Sequence, residues 1–142
     1  DFMKGLCKKY GFKPIIWDDM FFMHYSNIEG ESSFAIPDDI GLMYWDYYNC
    51  TRDHYAGRIK QRRSIAKQTM FAGGAWRWTG YMPHHKKTLE STIAALAACR
   101  QEDMRDVIVT SWSDDGSEAP FYTALFGVVL YAYLDYHADY VQ

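Results

Sequence analysis

Val107-Ile108-Val109-Thr110-Ser111-Trp112 is a short β-branched run that ends on a tryptophan and leads directly to Asp114 and Asp115. A near-continuous apolar run of this kind marks a strand covered on both faces, the habit of parallel sheets. Working outward, the same device recurs. Ile15-Ile16-Trp17 is followed by Asp18 and Asp19, Leu42-Met43-Tyr44-Trp45 by Asp46, and Phe71-Ala72-Gly73-Gly74-Ala75 ends on Trp76. The four tryptophans are spaced 28, 31 and 36 positions apart. That is about the length of a strand, a helix and a return strand, so the period predicts an α/β chain of four βα units.

The connecting segments agree with this period. Residues 2–10 read as the end of a helix, since Phe2, Leu6 and Tyr10 fall at helical spacing, and Gly11 is a natural terminator. Strands are expected at 14–17, 40–45, 69–76 and 106–111. Residues 18–37 make a long connection that is expected to shape a pocket. A helix over 52–66 should turn Tyr55 and Ile59 inward and leave Arg58, Lys60, Arg62 and Arg63 in water. A second helix over 88–101 should bury Leu89, Ile93 and Leu96, with Thr88 as its cap. The last helix, 119–134, carries Pro120 in its first turn and reads as buried on most sides. Gly73-Gly74 weakens a strand unless something bulky must approach the backbone there.

Composition narrows the function. The chain has 142 residues, well short of the roughly 250 of a complete eight-unit barrel, so it reads as part of something larger. A net charge of −3 argues against nucleic acid, and the basic run 58–63 reads as a solvated helix face. Residues 119–134 are uncharged but shorter than the ~20 residues a membrane span needs. Cys7, Cys50 and Cys99 are odd in number and far apart, which suits reduced thiols and a cytoplasmic setting. His84-His85 lacks metal-ligand spacing, His24, His54 and His137 stand alone, and Asn49-Cys50-Thr51 reads as a helix start. No metal site is therefore expected.

In parallel βα architectures the residues just after each strand gather at one face. One tryptophan at a strand end is usually core, but repetition at four equivalent positions favours a ligand wall. Indole faces stack on the C–H patches of a pyranose while carboxylates accept hydrogen bonds from its hydroxyls. Acid pairs such as Asp18 with Asp19, or Asp114 with Asp115, could also supply the two carboxyl groups of a glycosidase, although binding roles fit them better.

At these residues the chain resembles the family 20 glycoside hydrolases, most closely the hexosaminidase D-like branch. The resemblance rests on Lys13-Pro-Ile-Ile-Trp-Asp-Asp-Met20, Tyr44-Trp-Asp-Tyr-Tyr48, Gly73-Gly-Ala-Trp-Arg-Trp-Thr-Gly80, Leu89-Glu-Ser-Thr92 and Val109-Thr-Ser-Trp-Ser-Asp-Asp-Gly116. It runs in order from about residue 13 to residue 134. It implies that residues 1–142 are the C-terminal half of a (β/α)8 TIM barrel, strands five to eight, with the N-terminal half absent.

The activity so implied is that of an exo-β-N-acetylhexosaminidase, removing terminal β-linked N-acetylglucosamine or N-acetylgalactosamine. In that chemistry the substrate's own acetamido oxygen attacks the anomeric carbon, with no metal or organic cofactor. The family's Asp-Glu proton donor pair is expected upstream, and no Asp-Glu dipeptide occurs in this sequence. The chain alone is therefore expected to be inactive. The resemblance assigns substrate binding to Trp17, Trp45, Trp76, Trp78, Trp112 and Asp114. Where relatives carry an acetamido-stabilising tyrosine, this sequence has Arg77 and Trp78, which moves that role to Tyr44 or Tyr47, or relaxes the acetamido preference. The expected partners are N-acetylhexosamine glycans and either the missing half barrel or a second copy, with neither nucleic acid nor membrane. Two alternatives stand beside this reading: a glycan-binding module without turnover, and a scaffold in which the tryptophans are core.

Overall fold

The computed structural model describes residues 2–22, 35–114 and 118–140. The described strands form one parallel sheet in the order β1 (Ile15–Trp17), β2 (Gly41–Trp45), β3 (Gln68–Gly74) and β4 (Val107–Thr110). Between and around them lie α1 (Phe2–Tyr10), α2 (Asp19–Phe22), α3 (Arg52–Arg63), α4 (His85–Gln101) and α5 (Leu125–Tyr136). The register pairs Trp17 with Met43, Trp45 with Ala72 and Gly74 with Thr110, so all four strands end along one edge. The expected α/β organisation is present, with four strands each followed by a helical segment. The long connection after β1 is described only through α2 and from residue 35 onward, so most of the expected pocket-shaping excursion lies outside the described residues.

Strand alternation sends side chains to two unlike faces. On one, Tyr44 and Phe71 pack with Tyr55, Ile59, Ala95 and Cys99 of α3 and α4. Ile59 and Phe71 are wholly buried, each contributing about 1.5–3 kcal/mol. Leu42 packs with Ile36, Ile65 and Ala66, and Leu96 and Tyr131 pack beneath Val107 and Val109. On the opposite face Ile15, Trp17 and Ile108 stay 47 %, 41 % and 43 % exposed. The expectation that β4 is covered on both faces therefore fails within this chain: α4 and α5 cover only the side bearing Val107 and Val109.

Several local expectations are corrected. Arg62 is buried rather than in water, although Tyr55 and Ile59 point inward as expected. In α4 the buried positions are mainly Ala94, Ala95, Leu96, Ala97, Ala98 and Cys99, while Leu89 and Ile93 are exposed. The helix lies between α3 and α5 against β3, and its small residues admit those neighbours closely, so burial follows the alanines rather than the larger side chains. His84, not Thr88, caps α4, its Nδ1 accepting from the Lys87 amide at 3.2 Å. Pro120 precedes a 3₁₀ turn at Phe121–Ala124 that runs into α5. That helix buries Gly127, Tyr131 and Leu134 but exposes Leu125, Phe126, Val129 and Tyr133, so it is not enclosed as predicted.

Glycines serve close approach and termination. Gly11 takes φ +73° just after α1, and the Phe12 amide bonds back to the Cys7 carbonyl at 2.8 Å. A Cβ at Gly73 would lie 1.7 Å from the Tyr131 hydroxyl, and one at Gly74 would lie 2.7 Å from the Trp78 ring. Bulky groups thus press on the strand from both faces. Among the described residues no helix is long and apolar enough to cross a membrane.

Candidate functional site

The strand ends enclose an open cavity of about 280 Å³. Its aromatic walls are Trp17, Trp45, Trp78, Trp112, Tyr47 and Tyr48, and its acids are Asp19 and Asp114. Trp17 closes β1 and Trp112 follows β4, the two outermost strands, which in a flat four-stranded sheet would stand about 14 Å apart. Their ring centroids are 6.0 Å apart, so the indoles reach toward each other across the open face. Tyr47 forms the hub, with its ring 5.2 Å from Trp45, 5.4 Å from Trp78 and 6.4 Å from Trp112. Gly74 permits this hub, since a side chain there would strike both Trp78 and Tyr47.

Of the eight substrate-binding residues expected, Trp17, Trp45, Trp78, Trp112, Tyr47 and Asp114 line this cavity, and Trp76 and Tyr44 do not. Trp76 is buried behind the wall. It stacks on Trp78 at 4.5 Å, and its indole N–H donates to the Tyr47 carbonyl at 2.9 Å. The two rings stack in the irregular segment after β3, and Trp78 is the one of the pair that reaches the cavity. Tyr44 faces α3, and its hydroxyl donates to Asp46 at 3.0 Å. Tyr48 completes the wall although sequence reasoning did not single it out; its adjacency to Tyr47 was the available signal.

The two acid pairs divide. Asp18 is 1 % exposed, accepts from Arg62 Nε at 2.6 Å and accepts weakly from the Trp45 amide at 3.4 Å. Burial pushes its carboxyl up, and the Arg62 charge and hydrogen bond oppose that push. Asp18 therefore ties β1 to α3, whereas Asp19 reaches the cavity. Asp114 stands exposed at the cavity mouth, and Asp115 lies outside the described residues.

Two polar groups are buried on the wall. Tyr47 Oη and Trp112 Nε1 are each sealed from solvent and make no hydrogen bond of regular geometry among the described residues, although Thr110 and Trp112 come near enough to the Tyr47 phenol to oppose the effect of its burial. Burial raises the Tyr47 phenol above its ordinary value, so it stays protonated and able to donate.

A neighbouring cavity of about 430 Å³ shares Asp19, Trp45 and Tyr48 with the first. Its centre is Asp46, which accepts from the Tyr44 hydroxyl, from the Tyr48 amide at 2.9 Å, from Asn49 at 3.0 Å, and pairs with His54 at 2.9 Å. Burial alone would raise the Asp46 carboxyl, but these hydrogen bonds outweigh it and hold it below the usual range. His54 is therefore not isolated, as its sequence context suggested, and Asn49 anchors the loop before α3. These partners were missed because nothing in their spacing marks them as one group.

Among the described residues no three His, Cys, Asp or Glu side chains are grouped to hold a metal ion. His84 caps α4 and His85 packs on Phe126 at 4.3 Å, while His24 lies outside the described residues. Cys7, Cys50 and Cys99 are free thiols, and burial pushes Cys99 up to about 12. In comparison with known proteins, no family model matches this sequence and no curated protein matches it significantly.

Proposed function

We propose that this chain supplies the sugar-binding walls of an exo-β-N-acetylhexosaminidase of the family 20 type, as strands five to eight of a (β/α)8 barrel. The observation that carries the reading is the cavity at the strand ends. Four indoles offer stacking faces, Asp19 and Asp114 offer acceptors, and the Tyr47 phenol offers a donor once its ring turns toward a ligand. A pyranose presents that pattern of apolar C–H faces, hydroxyl donors and carbonyl acceptor.

In this reading Asp114 accepts from ring hydroxyls at the mouth. Tyr47 donates to the acetamido carbonyl, the role that the sequence left between Tyr44 and Tyr47. Tyr47 is preferred because it lines the cavity, whereas Tyr44 faces α3 and donates its hydroxyl to Asp46. The Asp-Glu pair that would orient the acetamido group and protonate the leaving oxygen comes from outside these residues. The chain by itself binds the sugar without hydrolysing it.

The rest of the barrel covers the exposed apolar face of Ile15, Trp17 and Ile108 and pairs with the outer edges of β1 and β4. A second copy is the other occupant of that face. The three free thiols favour a reducing compartment such as the cytoplasm.

The test is hydrolysis of chromogenic β-N-acetylglucosaminide and its galacto epimer by the chain alone, and after adding the N-terminal half barrel of a family 20 enzyme. Activity only in the second case supports the proposal. Activity from the chain alone overturns the placement of the acid. Saturable sugar binding without turnover in either case favours the glycan-binding module, and no sugar binding at all favours the scaffold.

A further inference from the structure

Arg77 stands between the two stacked tryptophans, yet its guanidinium does not line the cavity. It is 4 % exposed. Nε donates to Ser111 Oγ at 3.2 Å, Nη1 to the Ala119 carbonyl at 2.8 Å, and Nη2 to Ser113 Oγ. The Phe121 ring lies over it at 5.2 Å. All these partners belong to the connection between β4 and α5, the segment that carries Trp112 and Asp114.

Residues 111–114 lie outside any helix or strand, so no backbone ladder fixes them there. A planar guanidinium offers five N–H donors in a rigid fork, and three of its bonds here reach both sides of the Trp112-Asp114 stretch. Ser111 and Ser113 flank Trp112 directly, so holding their hydroxyls limits how the indole between them can swing. The single step from Trp76 to Trp78 thus serves both walls. Trp78 forms one directly, and Arg77 restrains the other from behind.

We infer that Arg77 is a positioning residue that sets the placement of Trp112 and Asp114 against the bound hexosamine without touching it. This rests on the hexosaminidase reading above. It also accounts for an arginine where relatives carry an acetamido-binding tyrosine: the position serves the β4–α5 connection here, and the phenol comes from Tyr47.

The experiment is fluorine NMR of the full chain labelled with 5-fluorotryptophan, with resonances assigned by single Trp→Phe changes, in the wild type and in Arg77→Lys, Arg77→Met and Ser113→Ala. The Trp112 resonance is expected to move and broaden in Arg77→Met while that of Trp45 holds. Affinity for N-acetylglucosamine is expected to fall about tenfold or more, as misplacement of a binding group predicts. Arg77→Lys should recover part of both effects, which a merely space-filling residue would not do. Ser113→Ala, at an exposed position, should reproduce a smaller Trp112 movement and keeps the test decisive if Arg77→Met fails to fold. An unmoved Trp112 in the folded Arg77 and Ser113 variants overturns the inference. A moved Trp112 in a chain that binds no sugar supports the restraint and overturns the hexosamine reading instead.

Discussion

The Asp18 carboxylate lies 2.6 Å from Arg62 Nε, with both side chains buried, so the end of β1 is pinned to the last turn of α3. The guanidinium also packs over the Phe22 and Tyr44 rings at 3.9 and 4.5 Å. Removing one partner strands the other charge away from water. Asp18→Asn and Arg62→Met are each expected to cost about 3–5 kcal/mol, and the double change less than their sum. Urea denaturation of the four proteins of the cycle measures it, and full additivity would mean that the pair is not coupled.

Gly73 faces Tyr131 with no room for a methyl group, since its Cβ would meet the hydroxyl at 1.7 Å and the ring carbon at 2.6 Å. Gly73→Ala is expected to lower stability by about 3 kcal/mol or more, because α5 must move off the sheet. Gly74→Ala should instead displace Trp78 and Tyr47, losing sugar binding with a smaller effect on the denaturation midpoint. Equal midpoints for Gly73→Ala and the wild type would contradict this packing.

Tyr44 and Tyr47 are expected to separate stability from binding. Tyr47→Phe removes a hydroxyl from the cavity wall that makes no hydrogen bond of regular geometry, so stability should change little while N-acetylglucosamine affinity falls about tenfold. Tyr44→Phe breaks the bond to Asp46 and should cost about 1 kcal/mol, leaving affinity intact. Fluorescence titration beside thermal melts distinguishes the two; the reverse pattern would transfer the sugar contact to Tyr44.

Asp46 predicts how the fold responds to acid. A carboxyl held below its ordinary value of 3.8 binds a proton less readily folded than unfolded, so it adds stability above that value. The contribution drains away as pH falls from about 4 toward the lower folded value. Asp46→Asn should therefore be less stable than the wild type at neutral pH, with the gap narrowing in acid. Urea midpoints between about pH 6 and about pH 3 test this, and a gap independent of pH would remove the ionised carboxylate from the argument.

Part of the site was legible because strand ends repeat. A tryptophan closing each of β1 and β2, and another just after β4, do line the cavity, and Gly73-Gly74 marked a close approach to the backbone. Trp76 misled because a second tryptophan two positions on, Trp78, stacks over it and takes the wall, whereas Trp112 has no such neighbour in its own segment. Asp18 and Asp19 look alike in sequence, but adjacent side chains leave a strand end in opposite directions. One meets Arg62 and the other meets the cavity.

The spacing of apolar runs, glycines and tryptophans was enough to determine the βα order, the four strands and the aromatic character of their ends. Those features depend on local periodicity, which a sequence displays directly. Only the tertiary structure decided that Arg62 and Arg77 are buried and that Asp46 gathers Tyr44, Asn49 and His54. The two arginines depend on groups brought together across 30 or more positions, and the Asp46 group depends on how the loop before α3 folds back on itself. Burial of a charge is settled by the partners that reach it, and no stretch of neighbouring residues records them.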